Sequence, residues 1–271
     1  MAISSLAGML LSEAILGRQR SFALRFLHHL LGLSFFFTAA LSAPTFASGP
    51  TAEAILEKAD RARGGLSEGL RWKINLASSG GGQAAEYDVK VKGVNVIARC
   101  ESPARQKGET FLFNDRNLWI YRPGLKKPVS LSPRQRLSGQ AANGDIATTN
   151  YARDYVGEIE GKETVEGKAT FRLLLKAKDK NVTYDKIRYW VTQDTYLGVK
   201  AEFLTLEGKV FKRAKFAYEH KLAVAGKNVP FVSRMDITDA MNEASTTSIL
   251  YQSPSAEPLS DTIFNVNNLT R

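Results

Sequence analysis

Few side chains in this 271-residue sequence have the type and spacing for covalent or acid–base chemistry. Gly65-Leu66-Ser67-Glu68-Gly69 spells the pattern in which a serine on a tight strand-to-helix turn attacks a carbonyl. Here a helical pattern ends before the motif and a strand pattern begins after it, so the glycines read as a helix stop and a turn. Of three histidines, His28 and His29 lie in an N-terminal stretch that reads as removable, which leaves His220 at a strand end with no partner motif around it. One histidine and one cysteine, Cys100, are too few for an ordinary zinc site or for most hydrolase chemistry. Asp145 and Asp154 could form an acid–base pair, but nothing in the sequence fixes their separation. Helix capping for Asp145 and a salt bridge for Asp154 are the plainer readings. The glycine-rich loop Ser78–Gly82 is followed by neither a helix nor a lysine–serine pair, so it reads as a hairpin connection and not as a phosphate cradle. No catalytic residue, metal or cofactor is expected.

What remains is the chemistry of contact. Between Asp115 and Asp145 stand Arg116, Arg122, Lys126, Lys127, Arg134 and Arg136 with no acidic residue, a local positive field that suits an anionic membrane surface or an acidic partner. Just before it, Asn117-Leu118-Trp119-Ile120-Tyr121 puts large apolar groups on consecutive positions, so both faces of that strand must be covered. Leu118 with Ile120, or Trp119 with Tyr121, are candidates to line an apolar cavity. So are Trp72, Leu131, Leu137, Ile146 and Phe203. In such a cavity each buried methylene of an acyl chain contributes ~0.8 kcal/mol without any directional bond.

The N-terminus carries Arg18, Arg20 and Arg25, then the twelve-residue run Leu30–Leu41, then the small residues up to Ala47. That order is a secretory signal cleaved near Ala47, whether translation starts at Met1 or Met9, and the run is well short of the ~20 residues a membrane-spanning helix needs. Residues 1–47 contain three arginines and one glutamate, so their removal lowers the formal charge from +10 to +8. An exported chain with one cysteine has no internal disulfide, and nucleic acid is not an expected partner. Cys100 continues the register of Val94, Val96 and Ala98 as a small buried hydrophobe.

Thr51 is placed to cap a short amphipathic helix whose apolar residues are Ala54, Ile55, Ala59 and Ala62. From Leu70 the period changes to two, and about eleven strands follow, mostly joined by short turns such as Glu166-Gly167 and Glu207-Gly208. The expectation is a mainly β protein: one large curved antiparallel sheet occupying residues 48–271 as a single domain. The long interruption is Pro133–Tyr155, where Gln135–Gln140 and Asp145–Val156 have helical character and could close over a concave face, the second piece capped by Asn143 or Asp145.

Three pieces in fixed order resemble the LolA-like family of periplasmic lipoprotein-sorting proteins: Leu118–Pro123, Ser132–Gly139, and Gly144-Asp145-Ile146 through Tyr151 and Tyr155. The resemblance extends from the opening helix to Asp261–Phe264. It implies an incomplete β-barrel of about eleven strands wrapped around an apolar hollow with helices as a lid. It also implies a non-enzymatic periplasmic carrier for the acyl chains of a lipoprotein or another envelope lipid, working with an envelope transporter or an outer-membrane acceptor, and a part for Asp145 in placing the lid. The alternative is an interaction module with a filled core, docking on a transporter or membrane surface through its basic connection.

Overall fold

The computed structural model describes residues 49–79, 83–147 and 149–270, so the expected signal segment and its cleavage point lie outside the described residues. Helix α1 (Ala52–Arg61) begins as its sequence dictates, with the Thr51 hydroxyl accepting from the Ala54 amide at 3.2 Å, and it buries Ile55, Leu56 and Ala59. Six strands follow: β1 (Gly69–Ser78), β2 (Ala85–Lys92), β3 (Asn95–Ser102), β4 (Thr110–Asn114), β5 (Asn117–Tyr121) and β6 (Val129–Leu131). The chain then runs through a small hairpin, β7 (Arg136–Ser138) and β8 (Ala141–Ala142), and the single helical turn α2 (Tyr151–Asp154). Next come β9 (Tyr155–Val165), β10 (Lys168–Ala177), β11 (Lys186–Thr192), β12 (Gly198–Leu204) and β13 (Val210–Ala217). A second hairpin, β14 (His220–Val224) and β15 (Lys227–Phe231), precedes β16 (Arg234–Asp239) and β17 (Thr246–Ala256).

Thirteen of these strands form one antiparallel sheet in the order β6-β5-β4-β3-β2-β1-β17-β16-β13-β12-β11-β10-β9. The first six strands step outward to one edge, the chain crosses to the opposite edge, and the rest steps back until β17 pairs with β1. A connection between opposite edges of a sheet has to pass over one of its faces. So large a sheet also curls, because accumulated twist and an exposed apolar face cannot both persist in a flat one. Curling brings the β4–β5 turn against α2, where Arg116 Nε lies 3.1 Å from Asp154 Oδ1.

The sheet is larger than the sequence suggests. β6 is too short to carry a periodic signal. The stretch Phe231–Thr238, which reads as one strand, is divided between β15 and β16. The crossing segment differs more: its first expected helix is the β7–β8 hairpin, and its second is a 3-10 turn (Asn143–Ile146) followed by α2. Tertiary hydrogen bonds account for the change. The Asn143 amide donates to Gln135 O at 2.9 Å and the Ser138 hydroxyl to Gln83 O at 2.8 Å, while Gly139 turns with φ +51 in a space where a Cβ would meet the Ser78 and Thr247 hydroxyls at 2.3 Å.

Alternation along the strands sorts residues onto two faces. Trp72, Ile74, Val89, Ala98, Cys100, Leu173, Tyr189, Phe203 and Ile249 point inward, into one cluster shared with Ile55 and Leu56 of α1 and with Leu222, Val224 and Phe231 of the β14–β15 hairpin. The resemblance implied a hollow interior. Over the middle strands it is instead filled by α1 and this hairpin. On the outer face Leu112 forms a second, small cluster with Phe264 and Leu269, against which Ile97, Trp119, Tyr121 and Ile263 pack. Both faces of β5 are thus covered: Leu118 and Ile120 from within, Trp119 and Tyr121 by the C-terminal segment.

Candidate functional site

Toward one edge the inner face of β2, β4 and β5 lies beneath the β7–β8 hairpin, with Tyr87, Phe111 and Ile120 each 4% exposed. A groove of about 480 Å³ runs between it and the β7–β8 hairpin, within the ~300–1,000 Å³ common for ligand pockets. Its apolar wall is Tyr87, Phe111, Ile120, Leu131 and Leu137, with the Tyr87 and Phe111 rings edge to face at 6.0 Å. Arg105, Arg122 and Arg136 stand exposed at its margin, and among the described residues only Arg122 has a carboxylate partner, Glu109 at 3.1 Å. An apolar wall with a cationic margin can hold a hydrocarbon and meet an acidic head group.

Five of the sequence-predicted residues meet at this groove: Ile120, Leu131, Leu137, Arg122 and Arg136. Leu118 and Ile146 are buried in the core. Trp72 is also core, its ring 5.3 Å from Phe231, and Phe203 lies stacked on Tyr184 at 3.8 Å; these two fill space instead of lining it. Trp119 and Tyr121 belong to the opposite face. Lys126 and Lys127 sit on the exposed β5–β6 connection. Arg134 is committed elsewhere, to Asp185 at 2.6 Å and to the carbonyls of Lys180 and Val182. Tyr87, Phe111 and Arg105 are not among the sequence-predicted residues; alternation with Glu86 and Asp88 marks Tyr87 as inward, whereas the apolar run Phe111-Leu112-Phe113 leaves the inward side of β4 unmarked.

Asp145 is buried beneath the crossing segment, where its carboxylate accepts from the Ala142 amide and the Tyr184 hydroxyl, each at 2.8 Å. Burial pushes this carboxyl above the ordinary range, against the pull of the Lys212 charge. It caps a turn, as expected, but from the interior and not from the surface of a lid. The neighbouring Gly144 has no room for a side chain, since a Cβ would stand 1.9 Å from Thr183 Oγ1. Gly144→Ala should therefore destabilise the protein by about 1–3 kcal/mol, the usual cost of overpacking, and urea unfolding would read it. An unchanged midpoint would mean that Thr183 is free to move.

Asp154 makes the expected ion pairs, with Arg116 and with Arg153 at 2.7 Å, and Arg153 also reaches Asp115 at 2.9 Å. The four charges tie α2 to the β4–β5 turn over a cavity of about 80 Å³ bordered by Arg63, Asp145, Tyr151 and Tyr184. From the other side Asp60 accepts from the Ala152 amide at 2.9 Å, which fixes α2 to α1. Burial raises the Asp60 carboxyl to about 7, the Ala152 and Tyr151 amides and the Arg63 charge opposing it.

The residues that could have done covalent chemistry are occupied otherwise. Ser67 Oγ donates to Glu68 between α1 and β1, a helix-to-strand passage and not an elbow. His220 is half-buried, not solvent-facing, with Nε2 2.7 Å from Tyr251 O. The Cys100 thiol is buried and pushed up to about 11, which suppresses the reactive thiolate. Among the described residues there is no cluster of three His, Cys, Asp or Glu able to hold a metal, and no helix long and apolar enough to cross a membrane.

No curated protein matches the chain. A family model for DUF1329-like uncharacterized proteins matches residues 93–271. Among solved structures, the chain is similar to a LolA superfamily protein from Nitrosomonas europaea, with 32% identity and TM-score 0.70 over 80% of this chain and 99% of that one. It shares its fold with a domain described as an outer membrane lipoprotein-sorting protein from Vibrio parahaemolyticus, at 21% identity and TM-score 0.68 over 82% of this chain and 100% of that one. It does so too with a DUF1329 family protein from Desulfovibrio piger, at 18% identity and TM-score 0.65 over 80% and 97%. An open sheet bridged from edge to edge by its own connection, with an apolar groove under that bridge and a relative of this identity over nearly its whole length, places the chain in the LolA superfamily.

Proposed function

We propose that this protein is a periplasmic carrier, exported by a signal peptide cleaved near Ala47, that shields acyl chains of a lipoprotein or another envelope lipid from water. The observation that carries the reading is the groove beneath the β7–β8 hairpin, floored by the buried Tyr87, Phe111 and Ile120 and walled by the half-buried Leu131 and Leu137, with arginines along its margin, in a chain of this superfamily. Acyl burial drives loading at ~0.8 kcal/mol per methylene. The same term opposes unloading, so release requires an acceptor that binds the cargo or the emptied carrier. Lys126, Lys127, Arg122 and Arg136 would orient the groove toward an anionic membrane surface or an acidic transporter partner. The filled interior over the middle strands supports the second reading, an interaction module without cargo.

Organic extraction of the purified protein followed by mass spectrometry, together with uptake of a fluorescent fatty acid, separates the two. The carrier reading expects bound lipid and saturable uptake. Leu137→Asp, a half-buried position on the β7–β8 hairpin, should weaken uptake by an order of magnitude or more at little cost in melting temperature, because a charge in the groove must be desolvated by the chain. Repeated absence of lipid and of uptake would leave the module.

A further inference from the structure

Arg63 follows the last turn of α1 and turns into the interior, where only 7% of it is exposed. Its guanidinium lies over aromatic rings, the ζ carbon 4.4 Å from the Phe216 centroid and 5.5 Å from that of Tyr151. One nitrogen, Nη2, meets the thioether of Met235 at 3.6 Å, a weak acceptor. The other two, Nε and Nη1, are buried and meet no acceptor at full hydrogen-bonding geometry, although the hydroxyls of Tyr151, Tyr189 and Tyr251 lie beside the guanidinium. The buried hydroxyls of Tyr189 and Tyr218 likewise lack a partner at that geometry, and both lie near enough to act on the Arg63 charge. The nearby carboxylates make no ion pair with the arginine: Asp60 Oδ2 accepts from the Ala152 amide while Oδ1 is buried without a hydrogen-bond partner, and Asp145 is held by Ala142 and Tyr184. No salt bridge joins either of them to Arg63 among the described residues.

A buried cation without a counter-ion is among the costlier arrangements a fold can contain. The guanidinium also presents these donors as a planar fork, the shape that binds carboxylate and phosphate through two parallel hydrogen bonds. Tyrosine hydroxyls beside it add neutral donors without adding charge. Arg63 borders the cavity of about 80 Å³ below α2, which has room for a head group of a few heavy atoms but not for a hydrocarbon tail. From these observations we propose that Arg63, with Tyr151 beside it on the cavity wall, forms a buried oxyanion site for a carboxylate or phosphate group. This site is separate from the apolar groove; α2 and its ion pairs with Arg116 form the cover over it. The anion has two sources, the head group of an acidic lipid or a free anion. Only the first rests on the carrier reading.

The test titrates the purified protein with inorganic phosphate, with decanoate and with the neutral decanol, and repeats the series on Arg63→Met and Arg63→Lys, reading calorimetric affinity and melting temperature. Phosphate or decanoate should raise the melting temperature of the parent protein. Affinity for the anion should fall by about thirtyfold or more in Arg63→Met, the size expected when one partner of a desolvated charge pair is removed, and less in Arg63→Lys. Decanol binding should be unaffected by either substitution. Decanoate binding with inert phosphate identifies a lipid head group, and phosphate binding alone identifies a free anion. If Arg63→Met does not fold, the Nε–H resonance of Arg63 in the parent protein, followed during the same titrations, gives the answer. Absence of binding by both anions, or equal binding by Arg63→Met, would overturn the site and leave Arg63 balanced through Asp60. Loss of decanol binding alone would count against the carrier and not against this site.

Discussion

At pH 8 the Asp60→Asn protein should be more stable than its parent, and the difference should close as the pH falls toward 4. Asp60 is buried where α1 meets α2, and its carboxyl is raised to about 7. The proton is therefore held more tightly in the folded chain than in the unfolded one, where an aspartate titrates near its ordinary value. For a group shifted in this direction, the stabilising contribution is complete below about pH 4 and is lost as the pH rises through about 7. At ~1.4 kcal/mol per pH unit the span corresponds to a few kcal/mol at most. Asparagine keeps an oxygen to accept from the Ala152 amide and cannot ionise, so it removes the loss without removing the link between the helices. Asp145, raised for the same reason, contributes the same slope to both proteins and cancels in the comparison. Urea unfolding of the two proteins at pH 5 and pH 8 is the measurement. Parallel pH profiles would show that Asp60 is not desolvated as the packing requires.

Phe264→Ala should cost about 3 kcal/mol or more, a large effect for a residue outside the main core. Phe264 is 2% exposed and closes the outer cluster with Leu112 and Leu269, while its carbonyl accepts from Asn114 Nδ2 at 3.1 Å. Without that ring the C-terminal segment loses its anchor, and Ile97, Leu112, Trp119 and Tyr121 become a contiguous apolar strip on the convex face, a surface that promotes association. Thermal melts should show the loss, and sedimentation should show self-association. Uptake of fatty acid by protein still folded should persist, because the groove lies on the opposite face. A melting temperature equal to the parent's would mean that the tail contributes no cover.

The strands were legible because half-buried strands announce themselves by alternation, and the need to cover both sides of β5 was legible in Leu118–Tyr121. Which side faced inward was not, since an all-apolar strand has no polar partner position to mark its outer face. The outer cover comes from residues 259–269, short turns without a periodic signal. Helix-forming residues at Gln135–Gln140 are held extended by partners distant in sequence, Gln140 N to Thr247 Oγ1 at 2.8 Å among them. At the site, Ile120, Leu131, Leu137, Arg122 and Arg136 were legible as apolar wall and cationic margin. Trp72 and Phe203 were misplaced because sequence does not distinguish an apolar group that meets a neighbour from one that meets an opening. Arg63 gave no signal: at the end of a helix it reads as an ordinary cation favoured by the helix dipole.

The pairing of β1 with β17 has a consequence for how the molecule comes into being. Ser78 and Thr247, whose hydroxyls lie 2.8 Å apart across this seam, are separated by 169 positions in the chain. The middle of the sheet is therefore assembled from the first and last strands to be synthesised, and contacts so distant in sequence form slowly. A nascent chain shorter than β17 holds two half-sheets with unsatisfied inner edges, each a template for misdirected pairing. Maturation of this protein is a race between finishing its final strand and finding the wrong one.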